Sequence, residues 1–270
     1  MNIITIAIGF VTVFLAYRAW SKYRRRKALL ASPLSAKQRR ILAQHVPITN
    51  RLPKKLRAKF EGRVRLFLDQ IEFLGYGGLK VTETMRLSIA AQASLLVSGN
   101  DQWYKNLRTV LLYPGAFTSR QSYNHGYVVT ERQETRLGES WGRGPVVLSW
   151  AHSQHGALHD RSGRNVVFHE FAHQLDDLSG HTNGGPVLGA DQDRAEWFGV
   201  FTRAYARHVE AVRSGQPTLI DPYGAKAPEE FFAVVTELFF ERPWALMHDS
   251  PDVYEQMVGY YQMNPAHWTG

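Results

Sequence analysis

Within Asn165-Val-Val-Phe-His-Glu-Phe-Ala-His-Gln-Leu-Asp176, two histidines stand four residues apart, with a glutamate directly after the first. On a helix, His169 and His173 fall one turn apart on the same face. Two imidazoles so placed can close on one Zn²⁺ at ~2.0–2.1 Å. Glu170 is turned away from them by about 100°, which makes it a poor third protein ligand. It is better suited to take a proton from an attacking water, the role of the glutamate in the His-Glu-x-x-His pattern of metallopeptidases. With 11 His and 14 Glu in 270 residues, the pattern arises by chance roughly 0.02 times per chain. Val166, Val167, Phe168, Phe171, Ala172 and Leu175 predict a buried helix, where two His and a Glu are costly unless paired or bound to metal. Hydrogen-bonded core histidines are the bland alternative, and the intact pattern weighs against them.

A catalytic zinc site takes a third protein ligand and keeps one position open. The candidates are Asp176, three residues past His173; His181; Glu196 on the following helix; and Glu230 or Glu237 nearer the C-terminus. The extended pattern with Gly and then a third His is absent. Asp176 serves equally well as an orienting or capping group, and spacing alone leaves the choice open.

The elements that must carry these residues can be read coarsely. Hydrophobic residues make up 44% of the chain and charged ones 21%, an ordinary globular balance that excludes a disordered or coiled-coil chain. There is no Cys, which removes disulfides, thiol nucleophiles and Cys-ligated metals from consideration. Residues 33–48 and 53–74 read as basic amphipathic helices, and Thr82–Val97 as an Ala/Leu-rich core helix. Arg108–Tyr113, Tyr123–Thr130 and Pro145–Trp150 read as short strands. Helices are expected over 164–176, 191–213, 228–241 and 251–263. The fold class is α+β, mainly helical with a small β-sheet.

The N-terminus is of a different character. Residues 3–17 carry no charge, and Arg18, Lys22 and Arg24-Arg25-Arg26-Lys27 follow. This order is the inverse of a cleaved signal peptide. It predicts an N-terminal transmembrane helix with its basic side in the cytoplasm. The expected organisation is therefore a membrane anchor and basic flank at 1–30 and one globular domain at 31–270, with a helical part at 31–100 and a catalytic part at 101–270. That places the protein as single-pass in the inner (cytoplasmic) membrane, its catalytic domain facing the cytoplasm. Residues 1–65 hold 16 Lys and Arg against one acid, whereas the remainder hold 16 against 23. The net charge of +8 is thus a property of the first segment, and nucleic acid is not an expected partner.

Four stretches in this order resemble the zinc metallopeptidases of the Mlc titration factor A (MtfA) type. They are Val110-Leu-Leu-Tyr-Pro-Gly-Ala-Phe117, Gly138-Glu-Ser-Trp-x-x-Gly-Pro-Val-Val-Leu-Ser-Trp150, Asn165–Asp176, and Ile220-Asp-Pro-Tyr-Gly-Ala-x-x-Pro-Glu-Glu-Phe-Phe-Ala-Val234 with its continuation to Glu237-Leu-Phe-Phe240. The resemblance spans about residues 65–265. It implies a zincin-like fold, a Zn²⁺ cofactor, a peptide or protein substrate, a third ligand at Glu230 and a functional tyrosine at Tyr223. The catalytic domain of anthrax lethal factor is similar in its Tyr-to-Glu spacing. Pro228 suits the first turn of a helix, on which Glu230 and Glu237 share a face at i and i+7. One of them can ligate metal while the other hydrogen-bonds a ligating His. Tyr223 sits in a turn-forming stretch, Asp221-Pro-Tyr-Gly224, from which a phenol can project into a cleft. The expected activity is peptide hydrolysis with Glu170 as general base. The family name implies an alternative of another class, a binding module that sequesters a transcriptional repressor.

Overall fold

A computed structural model describes the backbone of residues 3–125, 128–136, 138–140 and 144–268, and the side chains of 10–116 and 144–268. Trp141 and Gly142 of the second resembling stretch, and Gly126 and Tyr127 of the expected strand at 123–130, lie outside the described backbone.

The chain is mainly helical with a small sheet. Helix α1 (Ile3–Ala31) leads through α2 (Ala36–His45) and a 3₁₀ turn to α3 (Lys54–Gln70). Ser35 caps α2 in a reciprocal arrangement with Gln38. The helix expected over 53–74 stops at Gln70, because Glu72–Gly75 pairs as strand β1. After α4 (Glu83–Leu96), β2 (Thr109–Tyr113) runs parallel to β1, with Phe73 opposite Val110. Strand β3 (Phe117–His125) and β4 (Val128–Arg136) form a separate antiparallel pair, and β5 (Gly138–Ser140) and β6 (Val146–Ser149) follow. The main sheet has the order β1-β2-β6-β5, parallel except for its edge strand β5. Tyr123–Thr130 is therefore two strands rather than one, with Tyr123 opposite Thr130.

The rest is helical: α5 (Trp150–Leu158), α6 (Val166–Asp176), α7 (Arg194–Arg213), α8 (Pro228–Glu241), α9 (Pro243–Asp249) and α10 (Pro251–Tyr261). One hydrophobic cluster runs through α3, α4, the sheet, α6, α8 and α10. Phe171 of α6 lies 5.6 Å from Phe67 of α3 and 5.0 Å from Tyr104, ring centre to ring centre. Phe239 and Phe240 of α8 meet Tyr261 of α10 at 5.4 and 5.0 Å. Between α6 and α8 themselves, Phe168 meets Phe240 at 5.3 Å, ring centre to ring centre, and these two helices carry the site.

The N-terminal segment departs from expectation. Among the described residues, no helix is long and apolar enough to cross a membrane. This overturns the transmembrane helix expected within residues 1–30, and with it the single-pass inner-membrane placement and the membrane anchoring through that helix. Helix α1 is 29 residues long, but its uncharged stretch ends at Tyr17, and at ~1.5 Å per residue it covers about 22 Å. A bilayer core needs ~30 Å. The basic half of α1 instead packs on the globular part. Arg25 pairs with Asp69 of α3, and the Arg26 guanidinium lies 5.7 Å from the Trp103 ring centre. The Leu30 carbonyl comes so close to Gly62 that a Cβ there would collide with it. Further on, Lys37, Arg51 and Lys59 pair with Glu83, Asp160 and Asp101. The basic first segment is thus partly answered by acids of the remainder.

Candidate metal centre

Helix α6 begins at Asn165, whose side-chain oxygen accepts from the backbone N–H groups of Val167 and Phe168. This is the N-cap that an Asn before an apolar run predicts. Val167, Phe168, Phe171, Ala172 and Leu175 turn into the core, which leaves His169 and His173 together on the face toward α8. Helix α8 begins at Pro228, where a missing N–H costs nothing. Glu230, Glu237 and Glu241 recur at i, i+7 and i+11, within about 20° of one line along the helix. That line faces α6.

His169, His173 and Glu230 form a group in which one ligand atom from each lies within 4.8 Å of the others. The two Nε2 atoms are 3.2 Å apart. Glu230 Oε2 lies 3.0 Å from His169 Nε2 and 3.4 Å from His173 Nε2. His169 Nδ1 donates to Glu237 Oε1 at 2.8 Å. A carboxylate only accepts, so this bond keeps a hydrogen on Nδ1, and an ion that displaces the Nε2 proton facing Glu230 would meet the Nε2 lone pair. The donor set, two imidazole nitrogens and one carboxylate oxygen, suits Zn²⁺.

The electrostatics favour positive charge at this point. Burial opposes charge on His169, yet its hydrogen bonds with Glu230 and Glu237 outweigh that and hold its pKa well above the ordinary value. Burial likewise pushes Glu230 up, but its contacts with His169 and His173 bring it well below the usual carboxylate range. A divalent cation meets the same preference as those protons and must displace them.

Glu170 is buried on the same helix, and its charge contributes to the raised pKa of His169. Tyr223 lies on a 3₁₀ turn (Pro222–Ala225) and is 42% exposed. Its ring centre is 5.8 Å from that of His169, and the Lys226 ammonium sits 4.0 Å above its ring. Asp221 holds this turn. Its carboxylate accepts from the Tyr223 N–H and pairs with Arg164, and its carbonyl lies 3.1 Å from His208 Nε2.

The other candidates stand outside this group. Asp176 is fully buried but accepts from the Gly184 N–H at 2.7 Å, and burial raises its pKa to about 6. His181 is exposed, and Glu196 accepts from Gln256 on the surface. Gln92, Asn165 and Glu241 surround the back of the site and are not among the candidates named from the sequence. Asn165 had a signal as a capping residue and Glu241 as one turn beyond Glu237, whereas Gln92 had none inside an apolar helix.

A His-Glu-x-x-His helix packed against a second helix that supplies a carboxylate defines a metallopeptidase-type domain. The pattern of the glucose-regulated metallo-peptidase M90 family matches residues 20–262, and the chain belongs to that family. It is 39% identical to an uncharacterised protein of Synechocystis sp. over 266 residues, 97% of this chain and 96% of the relative. It is 30% identical to the Mlc titration factor A of Yersinia pestis, and equally to that of Yersinia pseudotuberculosis, over 228 residues and 83% of each chain.

Proposed function

We propose that this protein is a zinc-dependent peptidase in which His169, His173 and Glu230 hold the ion. The observation that carries this reading is the three-residue group with Glu170 beside it, in a chain of the M90 family. Zn²⁺ supplies Lewis-acid polarisation of the scissile carbonyl and of the attacking water. Glu170 takes the water's proton and delivers it to the leaving amine nitrogen. Tyr223 donates a hydrogen bond to the carbonyl oxygen as negative charge develops there. Glu237 keeps the His169 ring in the tautomer that offers Nε2. The test is release of a chromogenic group from short peptides, with and without a chelator. Glu170→Gln should retain stoichiometric zinc and lose about 10²-fold or more of turnover, the range for a general base. Unchanged turnover in the zinc-loaded variant would remove Glu170 from the mechanism.

A second reading draws on the printed name of the Yersinia relatives, Mlc titration factor A. In it, the protein is a binding module that sequesters a repressor such as Mlc, and the ion is structural. Glu170 argues for catalysis, because a structural ion has no use for a general base. Hydrolysis by the zinc-loaded protein alone, with no repressor present, separates the two readings.

A further inference from the structure

Helix α8 turns three carboxylates toward α6, and only Glu230 belongs to the three-residue group. Glu237 reaches the back of His169. Glu241 reaches Asn165, accepting from its Nδ2 at 2.9 Å, from the Gly163 N–H at 2.9 Å and from the Ser162 hydroxyl at 3.1 Å. The second Nδ2 hydrogen of Asn165 goes to Gln92 Oε1 at 2.9 Å. The Asn165 backbone N–H donates to Glu237 Oε2, while Glu237 Oε1 accepts from His169 Nδ1. One buried residue thus caps α6, anchors the carboxylate that orients His169, and is itself fixed from α4 and α8.

A helix cap needs only the side-chain oxygen of Asn165. The remaining three donors serve something else, and burying Gln92, Glu237 and Glu241 around them is tolerable only because each is satisfied. We infer that Asn165 and Glu241 are positioning residues for the metal centre, setting His169 through Glu237. The inference rests on the reading of His169, His173 and Glu230 as ligands. If Asn165 loses its hold on Glu241, its backbone N–H drifts, Glu237 loses one anchor, and the His169 ring is freer to turn from the ion.

The experiment measures zinc affinity of the full chain by competition with a chromogenic chelator, alongside the melting temperature of the metal-free protein. Asn165→Ser keeps a capping oxygen but loses both Nδ2 donors, and affinity should fall about 10–100-fold, the range for groups that orient a ligand. Assayed at pH 8, where Glu241 is ionised, Asn165→Asp sets one carboxylate against another and should fall similarly. Adding Glu241→Gln to it restores the donor–acceptor pair in reverse and should recover most of the loss. Wild-type affinity in Asn165→Ser, with only the melting temperature lowered, would make Asn165 a helix cap and overturn the inference. So would a loss that the double variant does not recover. If the wild-type chain takes no zinc and Glu230→Ala behaves identically, the centre itself fails and the inference with it.

Discussion

Glu230 meets His169 across 61 residues of chain, and substitution at that residue separates the ligand assignments most sharply. Glu230→Ala leaves two imidazoles, so zinc affinity should fall steeply. Asp176→Ala removes a buried carboxylate beside His173 and should cost no more than roughly 10–100-fold. His181→Ala and Glu196→Ala, neither of them in the group, should leave zinc content unchanged. Zinc content measured by emission spectroscopy across the four variants checks this. Full retention in Glu230→Ala, with loss in one of the others, would reverse the assignment. Tyr223 poses a separate question, because its phenol is exposed beside His169 and outside the three-residue group. Tyr223→Phe should keep zinc and the fold and lower kcat by about 10²–10³, the cost of one oxyanion donor. Little change in KM would match an interaction made mainly in the transition state.

At the scale of elements, the contact between α6 and α8 contains a carboxyl that resists ionisation. Glu241 is 2% exposed, and burial raises its pKa from 4.5 to about 7, against the pull of Asn165, Gly163 and Ser162. Between those values the folded state binds this proton more tightly than the unfolded chain does. Stability therefore falls as pH rises from about 4.5 to 7. The gap sets a ceiling of about 3 kcal/mol on the effect. Asp176, raised to about 6 by its own burial, acts in the same direction. In urea unfolding of the metal-free protein at pH 5 and pH 8, Glu241→Gln should show a visibly smaller difference than the wild type. An equal difference in both would mean that Glu241 ionises normally in the fold.

For the whole molecule, an ion held by His169, His173 and Glu230 would cross-link two helices that the core already packs together. Anything that binds only the folded chain stabilises it, by about 4 kcal/mol at a thousand times its Kd. Zinc should raise the melting temperature, a chelator should reverse the rise, and Glu230→Ala should show little of it. A melting temperature indifferent to zinc would mean that the centre binds weakly or not at all. The first segment bears on the same scale. Its charge suggested a membrane flank, yet the described residues dock the basic half of α1 on α3. Exposed ion pairs such as Arg25–Asp69 add little each, so the tight approach of Leu30 to Gly62 matters more to that docking.

What the sequence determined by itself is local. The i, i+4 spacing of His169 and His173, Pro228 at a helix start and the apolar periodicity of α4, α6, α8 and α10 all depend on residues within a turn or two of each other. Such interactions are legible in a string. Spacing left Asp176, His181, Glu196, Glu230 and Glu237 open as partners of the histidines, and only the resemblance singled out Glu230. Tertiary structure brought Glu230, and not the nearer Asp176, into the group with the two histidines. It also placed Glu237 behind His169 and Glu241 against Asn165, contacts that span 68 and 76 residues. It turned one expected strand into parts of two paired strands and gave the basic end of α1 a protein surface to pack on. These outcomes depend on which faces meet when the core closes, a matter of shape and burial among distant segments that no local pattern encodes.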